Sequence, residues 1–311
     1  MNKKLVVKPS GIGGQAVLEG VMMKNRDRYA IAVRKPDGEI EVEKGHCQSL
    51  RDKYFACDLP IIRGVVTFVE SLVLGMKSLT DSSKYYEDEE EENRQQQMDD
   101  AAKERHEKIE TTFTVILSIV LAVGIFMVLP FFISELLKSI IKSAKVLAVI
   151  EGIIRIILFI GYVFAISFVE DIKRVFMYHG AEHKTINCVE HMLPLTVENV
   201  RKQSREHKRC GTSFIFIVLF ISIIFFIFIR VDNMWLKVLY RIVLVPVIAG
   251  VSYEFIRLAG KSENALVNIL SKPGMMLQKL TTKEPDDSMI EVAIASVEAV
   301  FDWKKFQEDS K

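Results

Sequence analysis

The segment from Thr111 to Ser134 contains no charged side chain. At about 1.5 Å of rise per residue, a helix of that length crosses the ~30 Å hydrocarbon core of a bilayer. Three further runs extend the pattern. Cys210 to Ile229 is uncharged and rich in Phe and Ile. Val146 to Val169 carries Glu151 and Arg155, spaced to pair across one helical turn. Leu236 to Leu258 carries Arg241, Glu254 and Arg257 towards its ends, where long side chains can reach the interface. Four spans are expected. The alternative for the two charged runs is a pair of buried helices in a soluble domain.

Loop charge orients the chain. Residues 171–209 hold eight Lys or Arg, against three in 135–145 and three in 230–241. The positive-inside rule places 171–209 in the cytoplasm and, with four spans, both termini as well. A multi-pass protein of the cell membrane is expected. The start, "MNKKLVVKPSGIGG", has basic residues but no apolar core behind them, so no cleaved signal peptide is expected.

The expected fold class is a mostly α membrane protein, a four-helix transmembrane bundle with a small α+β N-terminal cytoplasmic domain. Residues 1–84 form that domain and 85–110 a charged linker. Residues 111–258 form the four-span region with its cytoplasmic histidine-rich loop, and 259–311 a C-terminal cytoplasmic helical segment. In the first part, "QAVLEGVMM", "YAIAVRK" and "EIEVEK" read as strands, with Pro36-Asp37-Gly38 as a turn. Pro60 suits the first turn of a helix, and the apolar stretch after it reads as interfacial, bundle-packing or core helix. The six consecutive acids Glu87 to Glu92 repel one another and read as a tether. Near the C-terminus, Asp286, Asp287 or Ser288 can cap a helix whose Ile290, Ile294, Val297 and Phe301 form one stripe. The acids Glu284, Asp286, Asp287 and Glu291 suit the positive end of that helix, with a site role as the alternative.

Composition narrows the chemistry. Forty-one basic residues balance forty acidic ones, so nucleic acid is not expected as a partner. The four cysteines, Cys47, Cys57, Cys188 and Cys210, form no C-x-x-C pair and read as reduced thiols. "GIGGQA" matches a dinucleotide-binding pattern but lacks a βαβ context. Gly13, Gly14 and Gly20 instead suit close backbone approach.

Histidines carry the strongest signal. Four of the six fall between residues 179 and 207: His179, His183, His191 and His207. "YHGAEHKTINC" contains H-x-x-E-H, which on a helix puts His179 and His183 on one face. Glu182 then stands beside the second histidine as a candidate general base. "HKRC" adds His207 and Cys210 from the far end of the loop, completing a candidate N/S ligand set for a divalent metal, zinc first. Glu190 and Glu254 are reserve ligands. Glu19, an acid among apolar residues, is expected to be structural, with a site role as the alternative. The alternative for the histidines is solvation beside lipid headgroups.

Blocks along most of the chain resemble one family. "GGQAVLEGVMM", "RVFMYHGAEHKTINC", "LPLTVENVRKQSREHKRCGTSF" and "LTTKEPDDSMIEVAIAS" are similar to those of the DUF1385, or YqhQ-like, family of bacterial multi-pass membrane proteins. The resemblance implies a predicted metal-dependent membrane enzyme. Two function classes follow. One is a metal-dependent hydrolase acting on a membrane-associated peptide or lipid-linked substrate. The other is a non-enzymatic scaffold or assembly factor, and after these a transporter, with a structural or sensory metal site.

Overall fold

The computed structural model describes residues 8–86, 100–207, 210–229, 231, 233–259 and 265–309. The acidic run Glu87 to Glu92 lies outside them. The described residues are mostly helical with one small sheet. Strands β1 (Gly13–Val17), β2 (Gly20–Asn25), β3 (Arg28–Arg34) and β4 (Ile40–His46) form an antiparallel meander in the order β1-β2-β3-β4. The helices are α1 (Leu50–Lys53), α2 (Ile62–Ser83), α3 (Asp100–Val123), α4 (Leu129–Leu136), α5 (Ala144–Ile166), α6 (Glu170–Glu190), α7 (Val197–Arg201), α8 (Gly211–Ile227), α9 (Met234–Ala259), α10 (Ala265–Thr281), α11 (Asp287–Val300) and α12 (Trp303–Glu308).

The Pro36-Asp37-Gly38 turn joins β3 to β4. Gly38 takes φ +89°, and the Glu39 N–H donates to the Asp37 carboxylate at 2.9 Å. The stretch "QAVLEGVMM" is two strands rather than one. It reverses at Leu18–Glu19, and Glu19 takes φ +48° with neither Gly nor Asn at the turn. That conformation is held from outside. The Arg34 N–H donates to the Glu19 carbonyl at 2.9 Å, and the Glu19 carboxylate pairs with Arg174. Gly20 instead serves close approach, since a Cβ there would lie 2.3 Å from the Ala32 carbonyl oxygen.

The chain divides into two compact units. The first comprises residues 1–85, 163–217 and 249–311, so the sheet, the histidine segment and the C-terminal helix share one unit. Its core packs β2 and β3 against α6 and α11 through Val21, Met23, Ala30, Tyr178, Ile290 and Val297. Each fully buried Val or Ile contributes roughly 2 kcal/mol. Asp286 caps α11, accepting from the Met289 N–H at 2.9 Å. The other sheet face buries Val17, Met22, Ile31 and Val33. Helix α2 touches β1 and β3, with Leu74, Ser78 and Ser82 buried. The opposite stripe of α2 leaves Val69, Leu72, Val73, Met76 and Leu79 exposed. Gly64 of α2 meets Gly250 of α9 so closely that a Cβ on Gly64 would lie 2.9 Å from the Gly250 Cα.

Among the described residues, three helices are long and apolar enough to cross a membrane: Ile109–Ser139, Ala144–Ile166 and Met234–Leu258. The fourth apolar run forms only the shorter helix Gly211–Ile227. It starts after Cys210, whose side chain is committed elsewhere, and ends before Phe228 and Ile229.

The second unit comprises residues 86–162 and 218–248. It buries an ion cluster. Glu151 accepts from Arg155 at 2.8 Å and from Arg241 at 2.9 and 2.6 Å. A π-helical turn at Gly124–Val128 accompanies it, and the Phe126 carbonyl accepts from Arg155 Nε at 2.7 Å. Both guanidinium groups also lie over the Phe226 ring. Gly152 allows Ile223 to approach within 2.2 Å of its would-be Cβ.

Candidate metal centre

The segment expected as a loop at 171–209 is largely helix α6, and "HGAEH" lies within it. From Tyr178 to Glu190 only His179 escapes full burial, although Glu182, His183, Lys184, Thr185, Asn187 and Glu190 are polar. Buried polar side chains need partners, and the chain from Arg201 to Glu206 supplies main-chain carbonyls to His183, Lys184 and Asn187. Lys184 donates to the Arg201 carbonyl at 2.8 Å. Asn187 donates to the carbonyls of Ser204 and Glu206 at 2.7 and 3.1 Å. Helix α6 thus acts as a template on which this non-repetitive segment lies, and the segment delivers His207 and Cys210.

A second segment crosses α6 at Gly180. A Cβ there would lie 2.0 Å from the Lys283 carbonyl oxygen, and the Lys283 N–H donates to the Phe176 carbonyl at 2.8 Å. The glycine inside "YHGAEH" therefore admits residues 281–285 against the helix.

These approaches fix both histidines. Nδ1 of His179 lies 2.9 Å from the Thr281 carbonyl, and Nδ1 of His183 lies 2.6 Å from the Arg205 carbonyl. A carbonyl can only accept, so each Nδ1 carries a proton, and in the neutral ring each Nε2 turns its lone pair towards Cys210. That tautomer is the one a metal-ligating histidine needs, with the other nitrogen held by an outer partner. His179 Nε2 is 3.3 Å from Cys210 Sγ, and one ligand atom from each of His179, His183 and Cys210 lies within 4.8 Å of the others. Tetrahedral zinc with bonds near 2.0–2.3 Å needs donor separations of roughly 3.3–3.8 Å. Small side-chain movements reach that spacing. Thr212 braces the sulfur through its N–H at 3.5 Å and its hydroxyl at 3.2 Å.

Glu182 stands next to the trio. Burial pushes its carboxyl up to about 7, opposed in part by His179. Its Oε2 is buried without a hydrogen-bond partner among the described residues. An orphaned buried carboxylate oxygen is costly and marks a place where a cation, water or substrate group fits. Burial also pushes His183 down, which favours the neutral, ligating imidazole. Two imidazole nitrogens, a thiol and a neighbouring carboxylate together suit zinc or another borderline divalent ion.

The remaining expected residues fall elsewhere. His207 enters the same cleft but stands outside the trio; its Nε2 lies 3.3 Å from Glu190 Oε2. Glu190 also accepts from the Ser10 N–H and hydroxyl at 2.7 and 2.8 Å, so it is a partner of His207. Glu254 pairs with Arg63 and Arg257, away from the trio. Glu19 is held by Arg174, Glu284 pairs with Lys184, Asp287 with Arg201, and Glu291 with Arg34. His191 bonds the Asn187 carbonyl at the end of α6. Cys188 is fully buried in the core, where desolvation pushes its thiol up to about 11. The residue that sequence reasoning passed over is Gln278. It is fully buried, accepts from the His207 N–H and donates to the His207 carbonyl, both at 2.8 Å, and so clamps that residue. Its position on α10, remote in sequence, gave no signal.

The trio opens on a cleft of about 580 Å³. The edge of β1 lies along it from Gly13 to Ala16, and Phe68, Leu72, Phe176 and Phe214 contribute apolar wall. A Cβ on Gly14 would lie 3.1 Å from the Glu182 carboxyl carbon, so this glycine lets strand and carboxylate meet.

Comparisons with known proteins place these features in context. A family model described as "Protein of unknown function (DUF1385)" matches residues 59–303. The Bacillus subtilis (strain 168) protein described as "Uncharacterized protein YqhQ" is 36% identical over 290 residues, 93% of this chain and 91% of the relative. No solved structure matches the chain.

Proposed function

This chain belongs to the DUF1385 family, and from that premise we propose that it is a polytopic membrane enzyme with a divalent-metal centre, hydrolytic in its reaction. His179, His183 and Cys210 would hold the ion, zinc before others. The observation that carries the reading is the convergence of these three donors, with both Nδ1 protons fixed, beside the partnerless Glu182 oxygen. When bound, such an ion supplies Lewis-acid activation of a carbonyl or a water. The chain's own residues do the rest. The Thr281 and Arg205 carbonyls hold the imidazoles in the ligating tautomer. Glu182 takes the proton of the attacking water and passes it to the leaving group. His207, oriented by Glu190 and clamped by Gln278, is a supporting residue rather than a ligand.

The same reading keeps four spans, with the 17-residue Gly211–Ile227 as the shortest, near the lower limit of a crossing helix. The basic segment 171–209 and both termini then lie in the cytoplasm. Because "HGAEH" follows the second span and Cys210 precedes the third, the site faces the bilayer surface. Its substrate is accordingly a membrane-associated peptide or lipid-linked molecule. Substituting Glu182→Gln separates this reading from a scaffold. An enzyme loses its cellular function while the variant keeps abundance and metal content. Full function in the Glu182→Gln variant would favour a scaffold with a structural or sensory ion.

A further inference from the structure

Strand β1 is an edge. It pairs with β2 on one side and, among the described residues, with no strand on the other. In an antiparallel pair, alternate residues turn their N–H and C=O groups away from the partner, so an edge strand presents a ladder of unused donors and acceptors. Proteins usually blunt such edges with charge or proline. Gly13–Val17 reads Gly-Gly-Gln-Ala-Val, with neither.

The surroundings of this edge are specific. Residues 12–16 line the cleft that contains His179, Glu182, His183 and Cys210. One wall is α2, which contributes Thr67, Phe68, Ser71 and Leu72 at helical spacing from a single face. The opposite wall is α6, with Val175 and Phe176 preceding the histidines. Alternation along β1 fits this division. Gln15 points to α2, where its amide donates to the Gly75 carbonyl at 3.1 Å, and Gly14 faces Glu182 on α6. Gly13 is exposed, and a Cβ there would meet nothing within 4 Å.

We infer that this edge is a strand-pairing subsite that takes an extended polypeptide with apolar side chains, added to the sheet beside β1. The inference rests on the metal-centre reading above and narrows its substrate to one class. An acyl chain would suit the walls but would cover the outward main-chain groups of β1 without replacing their hydrogen bonds with water, which is costly. An extended peptide satisfies them and alternates its side chains between the α2 and α6 walls. The four residues of β1 that line the cleft, Gly13 to Ala16, span roughly 14 Å at ~3.4 Å each, which fits about four residues of substrate. The close approach of Gly14 to Glu182 then brings a paired peptide bond alongside the general base.

The test uses the full-length protein in nanodiscs loaded with zinc. Five probes are compared by equilibrium binding. These are an N-acetylated tetrapeptide of alternating Leu and Val as its C-terminal amide, the same peptide as its hydroxamate, both peptides N-methylated at alternate amides, and a fatty-acyl hydroxamate of matched length. A photoreactive version of the peptide locates the site by mass spectrometry. The expected result is at least a tenfold loss of affinity on N-methylation, with crosslinks on residues 12–16, 67–72 or 175–183. Equal binding of the N-methylated peptides, an acyl hydroxamate that binds as tightly as the peptide hydroxamate, crosslinks elsewhere, or no binding by either unmethylated peptide would overturn the inference. The metal reading fails separately. If hydroxamates bind no better than the amide, the metal reading is overturned, and the N-methyl contrast between the amides still decides the pairing.

Discussion

The carbonyl oxygen of Lys283 occupies the space that a side chain on residue 180 would need, 2.0 Å from the would-be Cβ of Gly180. The obstruction is main chain, so no rotamer relieves it. Gly180→Ala should push the 281–285 segment off α6, at a cost of about 2–3 kcal/mol for an overpacked contact. It should also loosen the Thr281 carbonyl that fixes His179. Thermal unfolding should show a lower Tm, and metal content should fall with it. A variant with unchanged Tm and metal content would show that this segment does not position the histidine.

Cys188 offers a chemical check on the core around α6. Its thiol is fully buried and pushed up from 9.0 to about 11 by desolvation. The thiolate is the reactive form, so iodoacetamide at neutral pH should label the half-buried Cys47 and Cys57 well before Cys188. The same shift has a stability sign. The unfolded chain loses this proton first as pH rises, so the stabilisation is complete below about 9 and is lost as pH climbs through about 11. Denaturant midpoints measured across that window should fall, and Cys188→Ala should reduce the fall.

Glu151 is the sole carboxylate between Arg155 and Arg241 among the described residues, and all three are buried. Glu151→Gln leaves two guanidinium groups without their counter-charge. Removing one partner from a buried ion cluster typically costs about 3–5 kcal/mol. Membrane abundance of the variant should drop sharply, whereas Glu198→Gln, which breaks the exposed pair with Lys202, should change it little. Equal abundance of the two variants would contradict the packing described for the second unit.

How far the sequence exposed this arrangement depends on the kind of signal. The apolar runs were legible because span length is a property of consecutive residues. The Pro36-Asp37-Gly38 turn and the Asp286 cap were legible because their chemistry is local. The reversal at Leu18–Glu19 was not, because its positive φ is sustained by Arg34 and Arg174, partners distant in sequence. Within the candidate site, spacing and residue type named His179, His183, His207 and Cys210 as candidates, and the structure brings ligand atoms of His179, His183 and Cys210 together. His207 shared those signals and yet faces Glu190. Spacing shows which residues can arrive at a site, whereas the orientation of a ring depends on the outer partner that claims each nitrogen. The sequence also left open whether the two ends of the chain touch the histidines. Thr281 reaches His179 and Gly14 reaches Glu182 through backbone approach, which leaves no mark in a side-chain pattern.

The most direct measurement is the metal content of the purified full-length protein by elemental mass spectrometry, alongside His179→Ala, His183→Ala, Cys210→Ser and His207→Ala. Close to one divalent ion per chain is expected in the parent, with loss of the ion in the first three variants and retention in the His207→Ala variant with the fold intact. A parent protein without stoichiometric zinc, manganese, iron or cobalt, or a His179→Ala/His183→Ala double variant that keeps its ion, would contradict the metal-centre reading.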